Sequence, residues 1–112
     1  MQTITAPELA AWLAEAPGAG ASRVQPVLLD VREPWEFQTC HIEGSVPMPM
    51  NTVSARLQEL EEDAPIVCIC HHGARSMSVA SFLERNGFTQ VTNLTGGIHA
   101  WALQVDTMMP TY

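Results

Sequence analysis

Short β-branched runs that alternate with stretches of helical period predict an α/β fold: a small central parallel sheet of about five strands, flanked by helices on both faces. Three observations carry that prediction. Ile66-Val67-Cys68-Ile69-Cys70 is an unbroken β-branched and cysteine run behind Asp63-Ala64-Pro65, the pattern of a strand buried on both faces. From Ser76 the period changes, with Val79, Phe82 and Leu83 at i, i+3 and i+4 and Asn86-Gly87 as a stop. At 112 residues and 46% apolar, the chain reads as one domain with a core of its own, from 1 to 112.

The elements follow in order. Residues 2 to 4 form a short strand, and Thr5-Ala6-Pro7-Glu8 is a capping box that opens a helix with Leu9, Trp12 and Leu13 on one face. That helix is expected to end near Pro17-Gly18, and residues 17 to 26 read as loop. Val27-Leu28-Leu29-Asp30-Val31 is a second strand, and Arg32 to Phe37 is a turn and short helix. His41 to Pro49 is a loop with a brief extended segment, because its prolines forbid helix. A helix with Val53, Leu57 and Leu60 starts at Asn51. Beyond the central strand and helix, Val91-Thr92-Asn93-Leu94 is the last strand, and Thr95-Gly96-Gly97 turns into a helix holding Ile98 and Trp101. The tail from Asp106 to Tyr112 has no periodicity.

Charge and cysteine content narrow the function. A net charge of −7, with five arginines and no lysine, disfavours nucleic acid and anionic membrane as partners. The amino terminus has neither a basic nor an apolar leader segment, and no window approaches the roughly 20 apolar residues of a membrane span. Three irregularly placed cysteines do not make a disulfide framework, so a reducing, cytoplasmic setting is expected. Acid clusters at Glu59, Glu61, Glu62 and Asp63, whereas His71 to Arg75 contains none. An anionic substrate is therefore expected to meet a locally positive patch.

The chemistry gathers at the junction from Cys70 to Arg75. The first N–H groups of a helix lack intrahelical partners and carry the positive end of its dipole, so a loop curling into a helix start aims several donors at one point. Such a site, with Arg75 nearby, favours a thiolate, the reactive form of cysteine. Cys70 is the candidate nucleophile. Cys68, two residues earlier, should point into the core, and Cys40 reads as a partly exposed bystander. Gly73 suits a positive φ or a close backbone approach.

The run Cys70-His71-His72-Gly73-Ala74-Arg75-Ser76, a Cys-x4-Arg pattern, resembles the active-site loop of single-domain rhodaneses, sulfurtransferases that carry sulfur as a cysteine persulfide. Two more stretches share the likeness: Leu29-Asp30-Val31-Arg32-Glu33-Pro34-Trp35-Glu36-Phe37 with His41-Ile42-Glu43-Gly44-Ser45, and Asn93-Leu94-Thr95-Gly96-Gly97-Ile98-His99-Ala100-Trp101. The pattern departs at Cys40, where the family usually has glycine. The resemblance implies a rhodanese-like fold and a thiosulfate sulfurtransferase activity through a Cys70 persulfide, with no cofactor and no metal. It places His71, His72, Gly73, Ala74 and Arg75 in the anion-binding loop, with Arg75 closing the loop by hydrogen bonds. Asp30, Arg32 and Glu36 then read as ion-paired supports, and Gly96 and Gly97 as the tight turn beside the loop. The implied partners are a small anionic sulfur donor and a thiol or sulfur-acceptor protein.

Two rival readings stand beside it. Phosphatases and arsenate reductases of the same fold use Cys-x5-Arg, one residue longer than the loop here, and the loop here also lacks an acid. Cys68-x-Cys70-His71-His72 has ligand types that suit zinc or copper(I), as a sensing or storage module.

Overall fold

The computed structural model describes residues 1–15 and 24–112. Five strands, β1 (Gln2–Ile4), β2 (Val27–Asp30), β3 (Val46–Pro47), β4 (Ile66–Ile69) and β5 (Val91–Leu94), form one sheet in the order β1-β5-β4-β2-β3. Every pairing is parallel, with Leu29 opposite Cys68 and Cys68 opposite Asn93. The apolar run at Ile66 is thus the central strand, and its carboxyl end opens at mid-sheet.

Alternate residues of the strands feed two cores, as the period of two requires. Val67 and Ile69, with Leu94, pack against α1 (Ala6–Leu13) through Leu9 and Trp12, and against α4 (Gly97–Gln104) through Ile98 and Trp101. Leu29, Ile66 and Cys68 face the other way, toward Val79, Ala80 and Leu83 of α3 (Ala74–Arg85) and toward Val53. Helices therefore cover both faces. Among the described residues no helix is long and apolar enough to cross a membrane.

Local chemistry accounts for the boundaries. The expected capping box on α1 is present, with Thr5 Oγ1 accepting from the Glu8 N–H and Glu8 Oε1 from the Thr5 N–H. The helix stops at Leu13, earlier than the sequence suggests; Pro17-Gly18 lies outside the described residues. The helix expected from Asn51 is a 3-10 run over Met50–Glu59, kinked at Arg56. Its start is tightened by Thr52, whose N–H and hydroxyl both donate to the Pro49 carbonyl three residues back. Val53 is buried, while Leu57 and Leu60 are half-buried. Helix α3 begins at Ala74, two residues before the expected Ser76, so Arg75 lies in its first turn.

Past β2 the chain is pinned by a buried ion pair. Arg32 donates from Nε and Nη2 to the Asp30 carboxylate at 2.8 and 2.6 Å, and to the carbonyls of Glu36 inside α2 (Pro34–Thr39) and of Cys40 just past its end. This pairing buries Cys40, which the sequence reading left partly exposed: its Sγ sits 3.9 Å from Arg32 Nη1. Its backbone is extended, at φ −164°, so the departure from glycine at Cys40 causes no strain. Removing one partner of a buried pair strands the other charge. Asp30→Ala is therefore expected to lower the unfolding free energy by about 3–5 kcal/mol in urea titrations.

Candidate functional site

Cys70 lies directly past β4, 1% exposed, and the chain turns from it into α3 through Gly73. Gly73 takes φ +108°, a conformation open to glycine, and this aims its N–H back at Cys70 Sγ, 3.0 Å away. Ser76, buried in the first turn of α3, places its hydroxyl 3.3 Å from the same sulfur. That hydroxyl also lies 2.5 Å from Asn93 Oδ1 and 3.2 Å from the Gly73 carbonyl, which in turn accepts from Asn93 Nδ2. The Gly73 N–H thus donates to the sulfur at a helix start, an arrangement that stabilises negative charge there, while the single Ser76 proton is shared among the sulfur, Asn93 Oδ1 and the Gly73 carbonyl.

A second helix start holds the loop from behind. The Ile98 and His99 N–H groups, among the unpartnered donors at the start of α4, donate to the carbonyls of Cys70 and His71 at 2.8 and 3.0 Å. This approach is possible only at Gly97, because a Cβ there would collide with both carbonyl oxygens. Gly96 is equally confined, since its Cβ would stand 2.6 Å from that of Ala100. Both take positive φ, as the tight turn expected at Gly96-Gly97 demands.

The charged residues do not sit as the sequence suggests. Arg75 makes no hydrogen bond to the loop; Nη1 and Nη2 both go to Glu36, at 2.7 and 2.8 Å from its two carboxylate oxygens. The loop closure expected of Arg75 is supplied by Asn93 and Ser76 instead. The acid missing from the loop arrives from α2, and it offsets the local positive patch. Hydrogen bonds from Arg75 hold the Glu36 carboxyl down at about 2, against the opposing effect of its burial. Burial and the neighbouring His72 lower the pKa of His71 from the ordinary value, which disfavours its charged form. His72 is exposed, and Ala74 opens α3 at the surface.

One residue here carries no motif at all. Tyr112, from the aperiodic tail, stacks on His71 with ring centroids 4.0 Å apart and meets the edge of the exposed Trp35 ring. Its hydroxyl accepts from Arg32 Nη1 at 3.0 Å and donates to Glu36 Oε2 at 2.8 Å, and its burial pushes the phenol up to about 12. Ser76 and Asn93 were likewise unassigned from sequence, although both fall inside the three motif stretches.

Cys68 is sealed in the core, and burial raises its thiol to about 12. Among the described residues no group of three or more His, Cys, Asp or Glu side chains is placed to hold a metal ion. Cys40, Cys68 and Cys70 are all free thiols.

Comparison with known proteins agrees with this geometry. Residues 9–104 match the rhodanese-like domain family. Thiosulfate sulfurtransferase GlpE of Pseudomonas syringae pv. syringae is 37% identical over 75 residues, 67% of this chain and 71% of that protein. A protein named sulfurtransferase from Allochromatium vinosum is 37% identical over 76 residues, 68% of this chain and 71% of that one. The crystal structure of SSP1007 from Staphylococcus saprophyticus superposes with a TM-score of 0.81 at 28% identity, over 94% of this chain and 97% of that one.

The Glu36 pairing has a pH signature. A carboxyl held at about 2 in the fold contributes stability that is full above the ordinary value of 4.5 and is lost as pH falls through about 2. Thermal melts of wild type and Glu36→Gln are expected to differ by about 2–3 kcal/mol at neutral pH and to converge between pH 4.5 and 2.

Proposed function

We propose that this chain, which belongs to the rhodanese-like domain family, moves a sulfane sulfur from thiosulfate or a similar donor to a thiophilic acceptor through a persulfide on Cys70. The observation that carries this reading is the Gly73 N–H aimed at Cys70 Sγ at the start of α3, with the Ser76 hydroxyl within reach of the same sulfur. In the first half-reaction the Cys70 thiolate attacks the outer sulfur of thiosulfate. The S–S bond to the sulfonate breaks, sulfite leaves with the electron pair, and Cys70 keeps the sulfur as a persulfide anion. The Gly73 N–H and the helix dipole then face the persulfide charge, with the Ser76 hydroxyl beside them. In the second half-reaction a thiolate or cyanide attacks the outer persulfide sulfur, takes it as a new persulfide or as thiocyanate, and returns the Cys70 thiolate. The cycle is ping-pong and needs no oxidant.

Two further features favour sulfur over phosphate. The loop from Cys70 to Arg75 is six residues, one shorter than the Cys-x5-Arg pattern of the phosphatases. Glu36, the acid nearest Arg75, is held ionised at about 2 and has no proton to give at neutral pH. Sulfite, unlike an alkoxide, leaves without one. The three free thiols fit a reducing, cytoplasmic setting. The acceptor we assign is a cellular thiol or a sulfur-acceptor protein.

Intact-mass analysis after brief exposure to thiosulfate is expected to show a gain of one sulfur on wild type, reversed by cyanide and absent from Cys70→Ser. Sulfite release by Cys70→Ser at the wild-type rate would sink the reading, and turnover of an aryl phosphate through Cys70 would point to the phosphatase chemistry. Ser76→Ala removes the hydroxyl that the sulfur shares with Asn93 and the Gly73 carbonyl, a loss of about 1–2 kcal/mol. It is expected to slow persulfide formation about 5- to 30-fold in single-turnover sulfite release.

A further inference from the structure

The proposed reaction brings a dianion to Cys70, yet the fixed charges that face it are already matched. Arg32 is 1% exposed and gives two nitrogens to Asp30. Among the described residues, Arg75 is the permanent cation left beside the loop for a donor to meet: it precedes Ser76, whose hydroxyl lies 3.3 Å from Cys70 Sγ, and 37% of the Arg75 side chain is exposed. Both of its terminal nitrogens, however, are taken by Glu36. The carboxylate fills the end-on fork and offsets the charge, so a second oxyanion is left only the side-on N–H groups of a guanidinium that is already paired.

Glu36 itself is held on three sides. Oε1 accepts from the Glu33 N–H at 2.9 Å, Oε2 accepts from the Tyr112 hydroxyl at 2.8 Å, and Arg75 bridges both oxygens. Its side chain is 5% exposed. If Arg75 swings away, the Glu33 N–H and the Tyr112 hydroxyl stay behind as partners, so the carboxylate is not stranded. A swap of anions on Arg75 is therefore open to this site, and it does not require the carboxylate to enter water.

We infer that Glu36 sets the affinity for the sulfur donor: it is an internal carboxylate that competes with that donor for Arg75, so that an anionic donor gains the end-on fork and the full charge of the guanidinium only by displacing it. This rests on the sulfurtransferase reading above. Donor affinity is then a difference between two pairings of one guanidinium, and an unreactive oxyanion such as sulfate meets the same competition. The inference runs opposite to a supporting role for Glu36. Were the carboxylate there to aim Arg75 at the donor, its removal would weaken donor binding; as a competitor, its removal strengthens it.

Steady-state sulfite release from thiosulfate, with cyanide as acceptor, separates the two in wild type, Glu36→Gln and Glu36→Asp, each checked for folding by circular dichroism. Glu36→Gln keeps the shape and removes the charge; Glu36→Asp keeps the charge and shortens its reach. The expected result is a KM for thiosulfate about tenfold lower in Glu36→Gln and about threefold lower in Glu36→Asp, with kcat within about threefold of wild type. The inhibition constant of sulfate should fall in parallel. A KM that is unchanged or raised in the folded variants overturns the inference, and Glu36→Asp decides alone if Glu36→Gln does not fold. Absence of any Cys70 persulfide in the wild type overturns the sulfurtransferase reading itself, a separate outcome.

Discussion

The carbonyls of Cys70 and His71 rest on the first N–H groups of α4, and the shape of the site depends on that contact. It draws the turn after β5 against the loop after β4 so closely that Gly97 has no room for a side chain. With its carbonyls held from one side, the loop presents its sulfur to the other, where the start of α3 supplies the Gly73 N–H and the Ser76 hydroxyl. Two helix starts thus divide the work: one satisfies the loop's acceptors, the other faces the reactive atom. Asn93, on the strand beside the central one, links the two halves by bonding both Gly73 and Ser76.

Around this neutral scaffold the charges come in pairs. Asp30 with Arg32 and Glu36 with Arg75 are both bidentate, and the Tyr112 hydroxyl bridges Arg32 to Glu36. Charge-assisted pairs of this kind are geometrically demanding, and they tie α2, α3 and the tail to the strand ends. They also leave the site's electrostatics to the loop's N–H groups and hydroxyl rather than to free cations. Neutral pairs of this kind hold position while adding little net charge to the site.

Much of this was legible in the sequence because it rests on local rules. The strand at Ile66, the capping box at Thr5, the glycines at 73, 96 and 97 and the place of Cys70 between strand and helix each follow from a short run of residues with one physical preference. The helix starting at Ala74 was misplaced by two residues because Arg75 and Ser76 serve the site and add nothing to the apolar period. The 3-10 run at Met50 was read as a helix with Val53, Leu57 and Leu60 inward, since a tight turn and an α-helix share the i, i+3 repeat over so short a span.

The sequence by itself determined the fold class, the central strand and the position of Cys70, because hydrophobic period and turn chemistry act over a few neighbouring residues. Only the tertiary structure decided where Arg75, Cys40 and Tyr112 point. Glu36 lies 39 residues from Arg75 and Tyr112 lies 76 from Glu36, and no periodicity records such pairings. They exist because the parallel sheet brings the carboxyl ends of its strands to one edge, where residues remote in the chain meet. There a charge is settled by the partner it finds, which short-range patterns do not encode.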